Sequence, residues 1–142
     1  MNSNRVSILI VDDEPINLDI ICAHLEEENY ELVRANNGEE AWSQLKADPT
    51  RYDTIILDRM MPGMDGMQLL SNIKDTEELV HVPVIMQTAK AASSDVVAGL
   101  KAGASYYLTK PYDGEILKSM IRGAVNSRLH EKSLLDSLRE GR

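Results

Sequence analysis

Five short apolar runs alternate with five longer amphipathic segments along this chain, and this alternation constrains the fold more than any other feature. The run Ser7–Val11 is apolar after its first residue, which is typical of a strand covered on both faces of a parallel sheet. After Pro15, apolar residues recur at spacings of three and four, which indicates a helix. Strands that alternate with helices of this length favour parallel pairing through right-handed crossovers. We therefore predict an α/β fold.

The pattern predicts strands at residues 7–11, 30–35, 54–57, 82–87 and 106–109. Five such strands with helices on both faces suggest a flavodoxin-like (βα)5 arrangement, a doubly wound parallel sheet in the order 2-1-3-4-5. In that order the first and third strands are neighbours at the topological switch point, where ligands of open α/β sheets usually bind.

The last predicted helix, from about residue 113 to 139, is longer than the others. Its apolar stripe could cover the sheet, and consists of Leu117, Ile121, Val125 and Leu129. The segment after residue 126 is charged and has no regular coiled-coil seam. We expect one domain at residues 5–126 and an extended C-terminal helix or linker at 127–142. That extension could reach a partner helix or an effector, and a frayed solvated tail is the alternative.

Composition excludes several classes of protein. The apolar runs are far shorter than the roughly 20 residues that span a bilayer, and the N-terminus does not resemble a signal peptide. A single cysteine cannot form an internal disulfide, which fits a cytoplasmic protein. The net charge of −8 opposes direct binding to nucleic acid. We expect no membrane association and no direct nucleic-acid binding.

Polar residues follow four of the five predicted strands, at the point where each strand ends. Asp12 and Asp13 follow the first strand, Asp58 the third, Thr88 the fourth and Lys110 the fifth. The carboxyl ends of parallel strands meet at one edge of the sheet, so these side chains should converge. Taken singly, an acid at a strand end is often a turn former or helix cap. The joint pattern favours a binding site.

The residue types at this edge point to metal-assisted phosphate chemistry. Three close carboxylates repel one another, and a bound divalent cation removes that conflict. Ligands that are all oxygen favour Mg²⁺. The ammonium of Lys110 can pair with a carboxylate or a phosphoryl oxygen, and the hydroxyl of Thr88 can donate to a phosphoryl oxygen. Asp58 is then available as a nucleophile that forms an acyl phosphate.

Four segments together resemble the receiver domain of bacterial two-component response regulators. They are IVDDE at 10–14, LDRMMPGMDG at 57–66, QTA at 87–89 and KPY at 110–112. The resemblance covers about residues 5–126, and the D-x-x-M-P-x-M-D-G stretch is its most specific part.

This resemblance implies a phosphoacceptor and a metal site. Asp58 would take a phosphoryl group from a sensor histidine kinase or a phosphotransfer protein. Asp13 and Asp58 would bind Mg²⁺ through their carboxylates, Asp12 mostly through water, and Met60 through its backbone carbonyl. Met60 and Lys90 occupy variable positions that, in the family, tune hydrolysis of the acyl phosphate.

The resemblance also implies a switch. Thr88 and Lys110 would contact the phosphoryl group, and Tyr107 would turn inward as Thr88 moves towards it. The Lys110–Pro111 peptide would be cis. Phosphorylation would then alter the surface of the fourth helix, fifth strand and fifth helix, through which the protein could bind a partner or form a homodimer. The last helix is a second possible dimer contact.

The residues disfavour two other functions. A flavodoxin-like cofactor-binding module needs a loop rich in Ser, Thr and Gly after the first strand, but this chain has Asp-Asp-Glu-Pro, which would repel the FMN phosphate. A hydrolase with a nucleophilic aspartate needs a separate general acid, which the motifs do not supply. We therefore expect a signalling protein rather than an enzyme, with slow self-dephosphorylation as its only catalysis.

Overall fold

The computed structural model describes residues 5–89 and 92–140, with residues 139 and 140 described by their backbone alone. Within these ranges the chain alternates strands and helices as the sequence predicts. The elements are β1 (Ser7–Val11), α1 (Pro15–Leu25), a 3-10 turn (Glu26–Glu28), β2 (Glu31–Ala35), α2 (Gly38–Ala47), β3 (Thr54–Asp58), α3 (Gly66–Lys74), β4 (Val84–Thr88), α4 (Ser93–Lys101), β5 (Tyr106–Thr109) and α5 (Gly114–Glu140).

The five strands form one parallel sheet in the order β2-β1-β3-β4-β5, which confirms the predicted flavodoxin-like fold. In the register of β1 and β3, Val11 lies opposite Leu57, so both strands end at the same level. Asp58 lies opposite Gln87 in the register of β3 and β4. Asp12, which follows β1, therefore lies level with Asp58 at the end of β3 and with Gln87 of β4, at the carboxyl edge of the sheet.

The sheet is buried on both faces, and each face has its own apolar cluster. Leu9 and Val11 of β1 pack with residues of α2 and α3 on one face. Ile8 and Ile10 pack with residues of α1 and α5 on the other. Because side chains alternate along a strand, the continuous apolar runs of β1 and β3 serve both clusters. Burial of this kind is the main source of the stability of the fold.

The predicted strand boundaries differ from the observed ones by up to two residues. The fourth strand begins at Val84, because the N–H of Val82 donates to the carbonyl of Leu79 in a turn (3.0 Å) and Pro83 has no N–H to donate. The third strand includes Asp58, and the next residue, Arg59, donates its N–H to the carbonyl of Gln87 (2.8 Å).

Helix α5 covers the sheet with its first half and then continues past residue 126 as a helix. Leu117, Ile121 and Val125 are buried, but Leu129 is 43% exposed, so the covering stripe is shorter than predicted. Lys132 Nζ lies 2.7 Å from Asp53 Oδ1 at the amino edge of the sheet. The first turns after residue 126 thus contact the body of the domain. In the described part of the chain, none of the helices is sufficiently long and apolar to cross a membrane.

Candidate functional site

Three carboxylates converge at the carboxyl edge of the sheet. Asp12 and Asp13 follow β1, and Asp58 ends the neighbouring β3. One oxygen from each lies within 4.8 Å of the others. Asp12 and Asp58 are buried and Asp13 is half-buried, so the cluster is open to solvent on the side of Asp13. The parallel strand ends thus bring together the acids that the sequence pattern predicted to meet.

Asp12 is fixed by donors from four parts of the chain. Its Oδ1 accepts from the N–H of Glu14 (3.0 Å) and from the amide of Asn17 (3.5 Å). Its Oδ2 accepts from Gln87 Nε2 (3.4 Å) and from Lys110 Nζ (3.3 Å). These hydrogen bonds offset the cost of burying the Asp12 side chain away from water.

Lys110 lies between two of the three acids. Its Nζ is 3.3 Å from Asp12 Oδ2 and 3.5 Å from Asp58 Oδ1. One cation facing three carboxylates leaves a net negative charge at this edge of the sheet. The arrangement therefore favours a further cation.

The electrostatic cost of the cluster appears at Asp58. Burial, followed by the charge of Asp12, raises the pKa of Asp58 from 3.8 to about 7, although Lys110 acts in the opposite direction. Burial, with Asp12 and Asp58 as smaller contributors, raises the pKa of Tyr112 to about 12, so its phenol stays neutral. A divalent cation would favour the ionised form of Asp58.

The oxygen atoms at this site are suitable ligands for a hard divalent cation. Carboxylate oxygens are the ligands that Mg²⁺ prefers, and the open side at Asp13 leaves room for the waters that it keeps. The backbone of Met60 has a small lowering influence on the pKa of Asp58, so the start of the loop after β3 lies beside the cluster. Lys90 falls outside the described residues.

Thr88 ends β4 and Lys110 follows β5, the two strands on the other side of Asp58. Thr88 is fully buried at the end of β4 and lies opposite Thr109 in the register of β4 and β5. The N–H of Lys110 donates to the carbonyl of Thr88 (2.7 Å). The following Lys110–Pro111 peptide is cis. The structure thus places both residues at the edge that carries the acids.

Tyr107 lies in β5, apart from the acids, and its ring faces α4. Its half-buried ring packs on the apolar cluster that also contains Met86. Its hydroxyl lies 3.0 Å from Arg59 Nη1. Tyr107 is therefore connected to the acidic cluster through the residue that follows Asp58.

Sequence reasoning missed three residues around this site: Asn17, Gln87 and Arg59. Gln87 had a readable signal, because it is a polar residue inside an otherwise apolar strand run. Arg59 lies within the D-x-x-M-P-x-M-D-G stretch, and nothing in its spacing shows that its side chain reaches Tyr107.

Comparison with known proteins agrees with this geometry. Residues 8–122 match the family model of the response regulator receiver domain. The response regulator PleD of Caulobacter vibrioides is 38% identical over 133 residues, which cover 94% of this chain and 28% of PleD. The transcriptional regulatory protein TrcR of Mycobacterium tuberculosis is 33% identical over 141 residues, 99% of this chain and 53% of TrcR. The chain thus spans about half or less of the length of these relatives.

Solved structures show the same fold. A CheY-like receiver domain protein from Methanospirillum hungatei superposes with a TM-score of 0.81 at 28% identity, covering 90% of this chain and 99% of that one. The receiver domain of the Francisella response regulator 1452 gives a TM-score of 0.80 at 28% identity, covering 87% and 98%. From its sequence, its sheet order and its relatives, this chain belongs to the family of response regulator receiver domains.

Proposed function

We propose that this chain is a phosphorylation switch in which Asp58 accepts a phosphoryl group from a sensor histidine kinase or a phosphotransfer protein. The observation that carries the proposal is the convergence of Asp12, Asp13 and Asp58 within 4.8 Å. Family membership supports the same interpretation, since all three acids lie within residues 8–122, the range that matches the receiver-domain model. Residues 5–126 would form the receiver and 127–142 a helical extension in the cytoplasm.

The proposed reaction is the transfer of one phosphoryl group to Asp58. A carboxylate oxygen of Asp58 forms the new P–O bond, the P–N bond to the imidazole of the donor breaks, and the released nitrogen takes up a proton. Lys110, 3.5 Å from Asp58, is placed to pair with a phosphoryl oxygen. Mg²⁺ bound by Asp13 and Asp58, by Asp12 through water and by the Met60 carbonyl would offset charge on the transferred group.

Phosphorylation would change a surface rather than turn over a substrate. In this proposal Thr88 donates a hydrogen bond to the phosphoryl group, and Tyr107 turns inward. The surface of α4, β5 and α5 then changes its affinity for a partner. That surface or the end of α5, where Leu134, Leu135 and Leu138 are exposed, would also serve a homodimer. Slow self-dephosphorylation would be the only catalysis. The alternative of FMN binding is disfavoured by the two carboxylates directly after β1, which would repel its phosphate.

Incubation with acetyl phosphate and Mg²⁺ tests the proposal. Mass spectrometry of the intact protein should show one added phosphoryl group, and a metal chelator should suppress it. Asp58→Asn should abolish the addition. Asp53→Asn is the matched control, since Asp53 is a buried carboxylate that directly precedes the same strand, at the opposite edge of the sheet. Uptake by Asp58→Asn at the wild-type rate would show that the acceptor lies elsewhere.

A further inference from the structure

We propose that Arg59 is a positioning residue that couples the phosphoacceptor loop to α4 and to the ring of Tyr107. The inference rests on the proposed function, because it concerns how phosphorylation of Asp58 reaches the α4–β5 surface. Arg59 contacts Tyr107 and Asp95, and we refer to these contacts as the Arg59 bridge.

The guanidinium of Arg59 contacts two separate elements. Its Nη1 donates to the carbonyl of Asp95 in α4 (2.9 Å) and to the hydroxyl of Tyr107 in β5 (3.0 Å). Its Nη2 lies 3.7 Å from the carboxylate of Asp95. The side chain of Arg59 is 17% exposed, so these acceptors replace most of the water that the charge would otherwise bind. A planar guanidinium can satisfy several acceptors at once in a fixed geometry.

The backbone of Arg59 is fixed to the sheet and to α3. Its N–H donates to the carbonyl of Gln87 (2.8 Å), and its carbonyl accepts from the N–H of Gly66 (3.0 Å). A Cβ on Gly66 would lie 2.7 Å from the Cα of Arg59, so only glycine permits this close approach. With its backbone anchored beside Asp58, the Arg59 side chain transmits displacement of this loop to α4 and β5.

The other end of the bridge is shaped to receive the tyrosine ring. A Cβ on Gly99 of α4 would lie 2.5 Å from Cε2 of Tyr107, so the ring occupies the space that a side chain at this position would need. Glycine inside a helix costs about 1 kcal/mol relative to alanine. Helix α4 is therefore locally less stable at Gly99, where it contacts the ring of Tyr107.

These contacts give phosphorylation a route to the α4–β5 surface that is distinct from Thr88. Phosphorylation replaces the single charge of the ionised Asp58 carboxylate with the charge of a phosphoryl group, about −1.5 to −2, on the residue next to Arg59. Any movement of the anchored loop changes the contacts of one guanidinium with both α4 and Tyr107. The start of α4 and the tyrosine hydroxyl should consequently respond together.

Hydrogen exchange of the α4 amides tests the bridge with and without phosphorylation. In the unphosphorylated protein, Arg59→Met should speed α4 exchange about fivefold, because the contacts to Asp95 and Tyr107 are lost. The factor by which acetyl phosphate and Mg²⁺ change α4 exchange should shrink about threefold or more. Arg34→Met is the matched control, since Arg34 pairs with Asp19 on another face (2.8 Å), and it should change neither quantity.

Tyr107→Phe provides a second variant that keeps the ring and removes only the hydroxyl. It should reproduce part of the loss, and combining it with Arg59→Met should add little, because both changes break one bridge. A wild-type response of α4 in Arg59→Met, or additive effects in the double variant, would overturn this proposal alone. Failure of the wild-type protein to take up a phosphoryl group would overturn the proposed function, and the coupling with it.

Discussion

Gln87 is a fully buried amide in β4 beside the acidic cluster. Its Nε2 donates to Asp12 Oδ2 (3.4 Å), while its Oε1 has no hydrogen-bond partner among the described residues. A buried polar atom without a partner costs about 1–3 kcal/mol, so this residue is not explained by stability. Its position beside Asp12 indicates a role in orienting that carboxylate.

We predict that Gln87→Met weakens Mg²⁺ binding about tenfold, the size of effect typical when a residue that orients a metal ligand is removed. Titration calorimetry with MgCl₂ measures the change. Met86→Leu in the same strand is the control, because Met86 belongs to the apolar cluster on the opposite face. An unchanged Mg²⁺ affinity in Gln87→Met would show that Asp12 does not need this donor.

At this scale the sequence predicted the acids and Lys110 but not the other side chains around them. Asp12, Asp13 and Asp58 were readable because strand ends of a parallel sheet converge wherever the strands lie in the chain. The contacts of Gln87 with Asp12 and of Arg59 with Tyr107 join residues 75 and 48 positions apart. They depend on side-chain direction, which neither spacing nor periodicity specifies.

Helix α4 contains a glycine whose position is set by a neighbouring ring. Replacing a glycine inside a helix with alanine ordinarily raises stability by about 1 kcal/mol. At Gly99 the added Cβ would lie 2.5 Å from the ring of Tyr107, so we predict that Gly99→Ala destabilises the protein by about 1–2 kcal/mol in urea unfolding.

Gly123→Ala in α5 is the matched control for this substitution. The nearest atom to its Cβ is the Tyr106 hydroxyl at 3.1 Å, a looser contact at the end of a side chain. This variant should be neutral or more stable. If Gly99→Ala gained stability as Gly123→Ala does, the ring of Tyr107 would not be confined by α4.

The extension of α5 is joined to the domain by a contact between Lys132 and Asp53. The distance is 2.7 Å, and the second oxygen of Asp53 accepts from the N–H of Ser7 (3.0 Å). Sequence periodicity predicted the helix beyond residue 126, but the contact depends on where α5 passes the amino edge of β3. We predict that Lys132→Ala lowers stability by about 1 kcal/mol or less, because the lysine is partly solvated.

Amide exchange in residues 128–138 should also become faster in Lys132→Ala. Lys118→Ala is the control, since Lys118 pairs with Glu115 within α5 (3.0 Å) and does not join the extension to the sheet. Equal exchange rates in both variants would contradict a role for Lys132 in ordering the extension.

The alternation of apolar runs and amphipathic segments predicted the fold of the whole molecule. How closely the acids lie together and how deeply they are buried could be read only from the structure. Continuous apolar strands separated by helices predict a parallel sheet covered by helices on both faces, and five such strands favour an open doubly wound sheet. The net charge of −8 does not reveal that three acids meet at one edge. That concentration makes the stability of the metal-free protein depend on the protonation of Asp58.

Asp58 should make the metal-free protein less stable as the pH rises. Its pKa is about 7 in the folded protein and near 3.8 in the unfolded chain, so between these values the folded state binds more protons. The free energy of unfolding should therefore fall as the pH increases through this window and level off above about pH 7. Because solvent reaches the cluster, we expect a change on the order of 1 kcal/mol rather than the full effect of the shift.

Urea unfolding with EDTA should show this slope in the wild type and a smaller one in Asp58→Asn. Excess Mg²⁺ binds the ionised acids, so it should stabilise the wild type most at high pH. Identical metal-free slopes for both proteins would contradict the assignment of the raised pKa to Asp58.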